Sequence, residues 1–407
     1  MNSRKVAIIG AGIGGLTAGY ELSKKGYKVT VFEKEKEIGG LLSEFKIGGK
    51  KLEKTYHHIF KTDKEIINLI GELGLKEKLK WYKSSISLFY NNKFYPFLGV
   101  IDLLKFRELN LISKFRLGLV YLWLKFDENF SKYENVTAMV WMEKWAGKRA
   151  YEVIWKPLLK GKFHEYYKKV SMAWLWARIH TRGGSKNEKS EEVLGYMEGG
   201  FGQIVNKLAE NLDIKLNSEI KPSGPKFRTT SLDREAFDLI IDTRPAENVD
   251  YIGAVDLVFS STQNLSDYYW HNINDLKSPF LVFIQHTNLV DKKNYDNKHI
   301  YYLGTYVSQN HKYFKISDKE IEKEFFDYLK KIKPEFDEKQ VLEKKIFKFK
   351  NAQHIVTTNY KIPKYKISDK LWQLNFAQIY PEDRGINFAV KEARKLVNNL
   401  IGDEKQQ

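Results

Sequence analysis

The sequence predicts an α/β fold with more than one domain. Residues 5–9 form a short apolar, β-branched run, and three closely spaced glycines and an amphipathic segment follow at once. Two later stretches, at residues 199–212 and 374–402, again place a turn before a helical pattern. Helical and strand-like blocks lie between them. At roughly 100–200 residues per domain, the 407 residues allow two or three domains.

Composition excludes several kinds of site. The chain is 43% hydrophobic and 14% aromatic, which is ample for a large core. It has no cysteine, which rules out disulfides, thiolate metal sites, a cysteine nucleophile and a cofactor tethered through cysteine. We predict no metal site. The first residues lead directly into a strand, so we expect no signal peptide. No apolar run approaches the roughly 20 residues of a spanning helix, so we expect a cytoplasmic protein that is soluble or peripheral to the inner face of the membrane.

The formal net charge of +17 favours anionic ligands or surfaces. The lysines are scattered and form no single basic block, and no nucleic-acid-binding motif is present. We therefore predict no nucleic-acid partner. An anionic membrane surface stays open as a partner, and the sequence does not indicate the oligomeric state.

The N-terminal segment carries a dinucleotide-binding pattern. Gly10, Gly12 and Gly15 have the G-x-G-x-x-G spacing between a strand and a helix, and a second strand ends at Glu33. The glycines permit a tight turn, close approach of the backbone to a pyrophosphate, and close packing of helix on strand. The helix N-terminus stabilises phosphate charge, and Glu33 can accept hydrogen bonds from ribose hydroxyls. These features together predict a Rossmann-like domain.

Gly39 and Gly40 follow this unit in "KEKEIGGLLSEF", and here the sequence resembles the FAD-dependent amine oxidase superfamily. That superfamily includes protoporphyrinogen oxidases, phytoene desaturases and UDP-galactopyranose mutases. The resemblance implies tightly bound, non-covalent FAD, with the double glycine offering amides to its pyrophosphate. The family often has arginine next, where this chain has Leu41, so a side-chain pairing from that position is lost. No second G-x-G-x-x-G exists, so we expect no separate NAD site.

The resemblance continues in "YMEGGFGQIVNKLAENL", "FDLIIDTRPAE" and "LNFAQIYPEDRGINFAVKEARKLVNNLIG". It implies that the start of the last helix stabilises negative charge on the reduced flavin, and that Asp383 reaches the ribityl or pyrophosphate region. Beyond the glycines and Glu33 already named, the residues expected to contact FAD are Gly14, Lys34, Leu41, Leu42, His57, Ile220, Thr243, Gln378, Asp383, Ile386 and Asn387.

The resemblance and the element pattern together predict a discontinuous FAD-binding domain with an inserted α+β substrate domain. The FAD-binding domain comprises residues 1–80, 190–250 and 345–407, and the substrate domain comprises 81–189 and 251–344. Residues 98–182 are predicted to be helical, and between about residues 255 and 310 the stretches "GAVDLVFSS", "PFLVFIQHT" and "HIYYLGTYV" are predicted to form strands of a sheet. We expect a capping box from Thr62 to Glu65, a hairpin turn at Asn91-Asn92 and an exposed loop at 221–238.

The segment 103–126 mixes lysine and arginine with leucine, phenylalanine, tyrosine and tryptophan. Such a composition suits either a membrane interface or a buried helical pair lining a hydrophobic pocket. Both alternatives stay open from the sequence.

Candidate catalytic residues begin with the adjacent pair His57 and His58. A hairpin turning at Gly48-Gly49 is predicted to lead into them, and alternation along its second arm would place only one ring against the flavin. The segment "HHIFKT" resembles a histidine-containing stretch of the mutases, which favours His58. Arg178 and His286 are further catalytic candidates. Other polar groups on the substrate side are His180, Gln285 and Asn288. In an alternating strand "IQHTN", Gln285 and Thr287 would lie on one face, and His286 and Asn288 on the other.

Three functions compete. The first is an FAD-dependent oxidoreductase that takes hydride from a C–H bond of a bulky, hydrophobic organic substrate. The second is a flavin-dependent nucleotide-sugar mutase of the UDP-galactopyranose mutase type. The third is a non-catalytic binder on the same fold, which the Rab GDP-dissociation inhibitors resemble.

Overall fold

The computed structural model describes residues 4–182, 185, 191–220 and 237–404. The predicted loop at 221–238 lies almost entirely outside these residues. In chain order the strands are β1 Lys5–Ile9, β2 Lys28–Phe32, β3 Glu44–Ile47, β4 Lys50–Glu53, β5 Leu79–Lys83, β6 Ile86–Tyr90, β7 Lys93–Pro96, β8 Val193–Met197, β9 Asp213–Lys215, β10 Leu239–Asp242, β11 Tyr251–Ser261, β12 Trp270–Ile273, β13 Val282–Gln285, β14 His299–Ser308, β15 Val341–His354 and β16 Leu371–Gln373.

The α-helices range in length from three residues to nineteen. They are α1 Ile13–Lys24, α2 Lys64–Glu72, α3 Val100–Lys105, α4 Leu111–Phe126, α5 Ala138–Trp145, α6 Lys148–Ala150, α7 Lys156–Phe163, α8 Met172–Arg182, α9 Gly202–Ala209, α10 Asp318–Ile332 and α11 Ile386–Glu404. In the described part of the chain, no helix combines the length and apolarity needed to cross a bilayer.

A parallel five-stranded sheet has the order β16-β10-β1-β2-β9. Its strands come from three separated parts of the chain, because a parallel neighbour needs a long crossover connection. Helices α1, α2, α9 and α11 pack in the same hydrophobic core as this sheet. This arrangement confirms the predicted Rossmann-like fold.

A mixed seven-stranded sheet has the order β15-β11-β14-β13-β12-β6-β7. Strand β12 was not predicted from the sequence. It pairs with β6 in parallel on one side and with β13 in antiparallel on the other. Strand β15 pairs with β11 along nearly its whole length, so the predicted boundary at residue 345 falls inside a strand. The helices α3 to α8 form a separate core with Trp174 and Tyr133 at its centre.

Several local predictions are confirmed. The Gly48-Gly49 turn joins β3 to β4, and Asn91 and Asn92, both with positive φ, join β6 to β7. Gly199 and Gly200, both with positive φ, precede α9, which confirms the turn and helix predicted at residues 199–212.

Three local predictions are wrong. The N-cap of α2 is Asp63 and not Thr62, whose hydroxyl instead donates to the carbonyl of Thr181. Strand β4 ends at Glu53, so the histidine pair lies beyond regular pairing. Strand β13 ends at Gln285, and a 3₁₀ turn follows over His286–Asn288. That turn brings the Gln285 amide to Asn288, 2.9 Å away, while Gln285 and Thr287 both approach Nδ1 of His299.

Candidate active site

The first glycine loop opens α1 immediately after β1. Gly12 is the N-cap residue of α1, and a Cβ built on it would meet no atom within 4 Å. At Gly15 a Cβ would collide with the carbonyl oxygen of Gly10, so only glycine allows the helix to pack this closely on the strand. Gly14 adjoins Leu374 of the C-terminal segment. The loop therefore offers a helix N-terminus beside open space, which suits a phosphate group.

The second glycine loop lies directly against the first. The Gly39 amide donates to the carbonyl of Ala11 at 2.8 Å, and Gly39 pairs with Gly12 in a parallel bridge. Gly39 has φ +113°, a conformation that L side chains rarely adopt. Leu41 is half-buried and Leu42 is buried, so neither presents a polar side chain here. The two glycine loops thus lie side by side and border the open space at Gly12, which we call the groove.

Glu33 directly follows β2, at the rim of this groove. Its carboxylate accepts hydrogen bonds from the amides of Ala11 at 2.7 Å and Glu35 at 2.9 Å, and its side chain is buried. Lys34, by contrast, is 64% exposed and faces Glu35.

The third part of the groove follows β10. Thr243 donates its hydroxyl to the carbonyl of Ile9 at 2.7 Å, which fixes it beside the first loop. Ile220 contributes its carbonyl to the guanidinium of Arg244.

A charged cluster, formed by Lys162, Arg178, Asp383 and Arg384, lies where α7 and α8 meet the segment before α11. The Lys162 ammonium lies 2.6 Å from one oxygen of Asp383 and 2.8 Å from the other. Arg178 reaches Asp383 at 3.0 Å, and the Trp174 indole donates to it at 3.3 Å. Asp383 is therefore bound to cations of the helical region, and its contact with a ribityl chain or pyrophosphate stays a prediction.

Arg384 turns toward the seven-stranded sheet. Its guanidinium donates to the Tyr306 hydroxyl at 3.3 Å, while its buried Nε has no hydrogen-bond partner. Two neighbouring buried atoms are also unpartnered among the described residues, Oδ2 of Asp256 and Nδ1 of His354. Buried polar atoms are normally satisfied, so this junction is suited to a polar group that is held between sheet and helices.

Burial sets the protonation of the groups around this junction. It lowers the pKa of Lys162 to about 7, with Asp383 opposing the change. It raises the pKa of Asp256 to about 7, although a hydrogen bond from Thr55 acts to lower that pKa. Desolvation dominates in both cases because the charged forms lose water without full compensation.

The two adjacent histidines have different surroundings. His57 donates from Nδ1 to the carbonyl of Thr55 at 2.8 Å, and burial together with the Arg384 guanidinium lowers its pKa to about 4. His58 lies 3.2 Å from the Tyr269 hydroxyl and packs against Trp270 of the seven-stranded sheet. His57 is thus the ring on the Arg384 side. Contact of either ring with the flavin stays a prediction.

Some predicted residues lie outside this arrangement. His286 is buried and hydrogen-bonded to the Tyr295 hydroxyl at 2.8 Å, between tyrosine rings, so a catalytic role has no support from its position. Gln378 uses its amide on backbone groups of its own segment, including Asn375 and Gln373. Asn387 accepts from the Ile66 amide at 3.2 Å and so joins α11 to α2, while Ile386 is the first residue of α11 and is buried.

Sequence reasoning missed several residues of the junction. Arg384 directly follows Asp383 in "PEDRG", and this position is the one sequence feature that indicates a place for it at the site. Lys162 and Asp256 carried no signal, because each acquires its partners from distant parts of the chain.

The residues present fit FAD. The paired glycine loops are suited to its pyrophosphate, Glu33 to its ribose, and the unpartnered polar atoms near the start of α11 to the polar edge of its ring. The N-terminus of α11 also provides a positive dipole end.

Comparisons with known proteins agree with this fit. Residues 13–374 match the family described as "Flavin containing amine oxidoreductase". Protoporphyrinogen oxidase 2 of Arabidopsis thaliana is 30% identical over 129 residues, 31% of this chain and 25% of that protein. The 15-cis-phytoene desaturase of an Oncidium hybrid is 27% identical over 157 residues, 34% of this chain and 27% of that protein. The chain thus matches about a quarter of the length of these relatives.

A solved structure of reduced UDP-galactopyranose mutase superposes with a TM-score of 0.73 at 13% identity, covering 98% of this chain and 96% of the other. That likeness concerns the fold alone. The family match, which spans most of the chain, carries more: this protein belongs to the flavin containing amine oxidoreductase family, its cofactor is FAD, and it is an oxidoreductase by family.

Proposed function

We propose that this protein oxidises a bulky organic substrate that combines an apolar body with an anionic group. The observation that carries the proposal is the excess of buried positive charge at the junction. Two arginines, Arg178 and Arg384, lie here beside Lys162, whose pKa is lowered to about 7. The carboxylates near them are Asp383, which is fully paired, and Asp256, whose pKa is raised to about 7. Buried cations need compensation, and a carboxylate or phosphate of the substrate would supply it.

Aromatic side chains favour a large apolar body. Tyr56 and Trp270 pack edge to face with ring centroids 5.0 Å apart, and the His58 ring lies 5.8 Å from the same indole. These groups lie on the side of the junction that faces the seven-stranded sheet. They would hold an apolar substrate while the cations fix its charged end.

When bound, FAD supplies the acceptor for a hydride that leaves a C–H bond of the substrate. The chain's own contribution is positioning and proton transfer. Arg178 and Arg384 would orient the anionic group, and Asp383 holds Arg178 in place. His58 would take the proton released from the atom next to the oxidised carbon, so that one hydride and one proton leave the substrate together.

The relatives differ in the substrates their names give. A carotenoid hydrocarbon such as phytoene offers nothing to buried cations, whereas a porphyrinogen carries propionate groups. The charged cluster therefore supports a porphyrinogen-like substrate over a hydrocarbon. A diphosphate of a nucleotide sugar would also suit the cations, so the mutase alternative belongs in the same experiment.

The test is anaerobic mixing of the FAD-loaded protein with protoporphyrinogen IX, with phytoene in detergent as the comparison. We expect bleaching of the flavin absorbance and appearance of porphyrin fluorescence with the first compound only. Arg178→Met should raise the concentration for half-maximal rate by roughly tenfold to a hundredfold, the cost of one charge-assisted hydrogen bond. Arg149→Met removes an arginine that is half exposed and should leave it unchanged.

Bleaching by phytoene alone would overturn the anionic substrate. Ring contraction of UDP-galactopyranose by dithionite-reduced protein, with no bleaching by either organic substrate, would replace oxidation by the mutase function.

A further inference from the structure

Helix α4 is apolar on both of its long faces. Its buried face carries Leu117, Val120 and Leu124, which pack in the helical core. The opposite face is exposed and also apolar; its residues are Leu111, Ile112, Phe115, Leu119, Leu122 and Phe126. A helix on the surface of a soluble protein normally carries polar side chains there, so this face is built for an apolar environment.

The exposure is large. Leu111 is 77% exposed, Ile112 72%, Phe115 68% and Phe126 71%. From Ile112 to Phe126, successive spacings of three and four residues keep this row on one side of the helix. Exposed apolar patches of this kind mark interaction surfaces.

The adjoining helix α3 extends the patch. Val100, Ile101 and Leu104 are each more than half exposed, and the Lys114 ammonium donates to the carbonyl of Leu104 at 2.6 Å, which ties α3 to α4. We call the exposed apolar residues of these two helices the α3–α4 face.

Basic and aromatic groups surround the α3–α4 face. Segment 98–126 contains five basic residues and two acidic ones. Both acids are engaged: Asp102 accepts amides at the start of α3, and Glu108 accepts the Tyr95 hydroxyl. Exposed Lys105 and Arg107 therefore give the region positive charge.

Two tryptophans lie at the edge of the face. Trp123 and Trp145 are 43% and 40% exposed, with ring centroids 5.1 Å apart. Half-exposed tryptophans with cationic neighbours are typical of groups that sit at a lipid headgroup region.

We propose that the α3–α4 face docks on the surface of an anionic lipid bilayer. An apolar row flanked by cations and tryptophans matches the requirements of an interfacial helix, which buries its apolar face in the headgroup–acyl boundary and attracts anionic lipids. A second copy of the chain fits less well, because a twofold pairing would bring the flanking cations of two chains of charge +17 together.

This surface lies one helix away from the charged cluster. Helix α8 separates them: His180 on α8 hydrogen-bonds the Leu124 carbonyl of α4 at 3.3 Å, while Arg178 and Trp174 of the same helix reach Asp383. Docking would place the site next to a bilayer in which an apolar substrate dissolves. Only this last step rests on the proposed function; the docking itself does not.

The test is flotation of the FAD-loaded full chain with vesicles, made either of phosphatidylcholine alone or of phosphatidylcholine and phosphatidylglycerol in equal parts. We expect binding to the anionic vesicles that weakens in high salt. The double variant Ile112→Gln, Phe115→Gln should bind at least about tenfold more weakly, since both side chains leave water on docking. The double variant Lys105→Gln, Arg107→Gln should lose about fivefold per charge, and only on anionic vesicles.

Matched control substitutions are Leu276→Gln and Ile367→Gln, which change two apolar side chains that are about half exposed on other surfaces. They should bind as the wild type does. Absence of wild-type binding to anionic vesicles would overturn the proposal, as would equal losses in test and control variants. A wild-type dimer that the Ile112/Phe115 variant converts to monomer, seen by sedimentation, would assign the face to a second copy instead. None of these readouts depends on turnover.

Discussion

The Lys162 ammonium and the Asp383 carboxylate form an ion pair of 2.6 Å with only 5% of the lysine side chain and 19% of the aspartate side chain exposed. The two residues are 221 positions apart, so the pair joins the helical region to the segment that begins α11. Asp383 also binds Arg178, and one carboxylate thus holds two cations.

Because one carboxylate binds both cations, removing the charge of Asp383 and removing that of Lys162 should change the free energy of unfolding by different amounts. Asp383→Asn removes the counter-charge of buried Arg178 and the charged acceptor of Lys162, and we expect the free energy of unfolding to fall by about 3–5 kcal/mol. Lys162→Met keeps the Arg178 pair and should cost distinctly less. Urea unfolding of the FAD-free proteins gives the comparison, with Lys323→Met in an exposed pair as a control that should show no measurable change. Equal losses from the two site variants would contradict the shared-carboxylate account.

The pH dependence of stability follows from the lowered pKa of Lys162. Its pKa is about 7 in the folded protein against an ordinary value near 10.5, so between these limits the unfolded chain binds more protons than the native one. Stability should therefore rise with pH from about pH 7 to about pH 10 through this residue, and its contribution is least favourable below pH 7. The measurement is the difference in unfolding free energy between wild type and Lys162→Met across this range. A difference that does not change with pH, or that changes in the opposite direction, would show that the ammonium stays charged.

Local chemistry explains which parts of the fold the sequence predicts. Gly10, Gly12 and Gly15 determine a loop by their own spacing, and Asn91-Asn92 determines a hairpin turn, so both could be read without knowledge of distant contacts. The capping of α2 could not: Thr62 and Asp63 are both good caps, and Thr62 directs its hydroxyl to the carbonyl of Thr181, which lies far along the chain.

The candidate site divides in the same way. The phosphate side consists of backbone groups whose positions follow from glycine spacing. The charged cluster draws Lys162 from α7, Arg178 from α8 and Asp383 from the segment before α11, and only tertiary packing brings them together. The outward face of α4 was ambiguous from sequence because its apolar residues occur on both faces, and pattern alone does not say which face is covered.

The open space beside Gly12 leads to a prediction about cofactor binding. Gly12→Ala introduces a Cβ that meets no protein atom within 4 Å at an ordinary φ of −75°, so the FAD-free protein should keep its stability. The added methyl group would instead crowd the pyrophosphate, and overpacking of this kind should weaken FAD binding by about tenfold or more. Gly71→Ala on α2 is the matched control, because its Cβ also meets nothing within 4 Å. Thermal unfolding and fluorescence titration of FAD measure the two effects. Unchanged FAD affinity in Gly12→Ala would place the pyrophosphate elsewhere.

The last prediction separates the adjacent histidines. If His58 is the base, His58→Ala should slow flavin reduction by substrate about a hundredfold or more while FAD stays bound, since general base catalysis contributes on that scale. His57 has a pKa of about 4 and a hydrogen bond to the Thr55 carbonyl, so His57→Ala should mainly lower stability. The measurements are anaerobic stopped-flow reduction and thermal unfolding of both variants. His58→Gln gives the matched control: it keeps a polar group near Tyr269 but cannot take the proton, so it should be as slow as His58→Ala. A fast His58→Gln would reduce His58 to a positioning role, and a slow His57→Ala with normal stability would transfer the catalytic role to the ring on the Arg384 side.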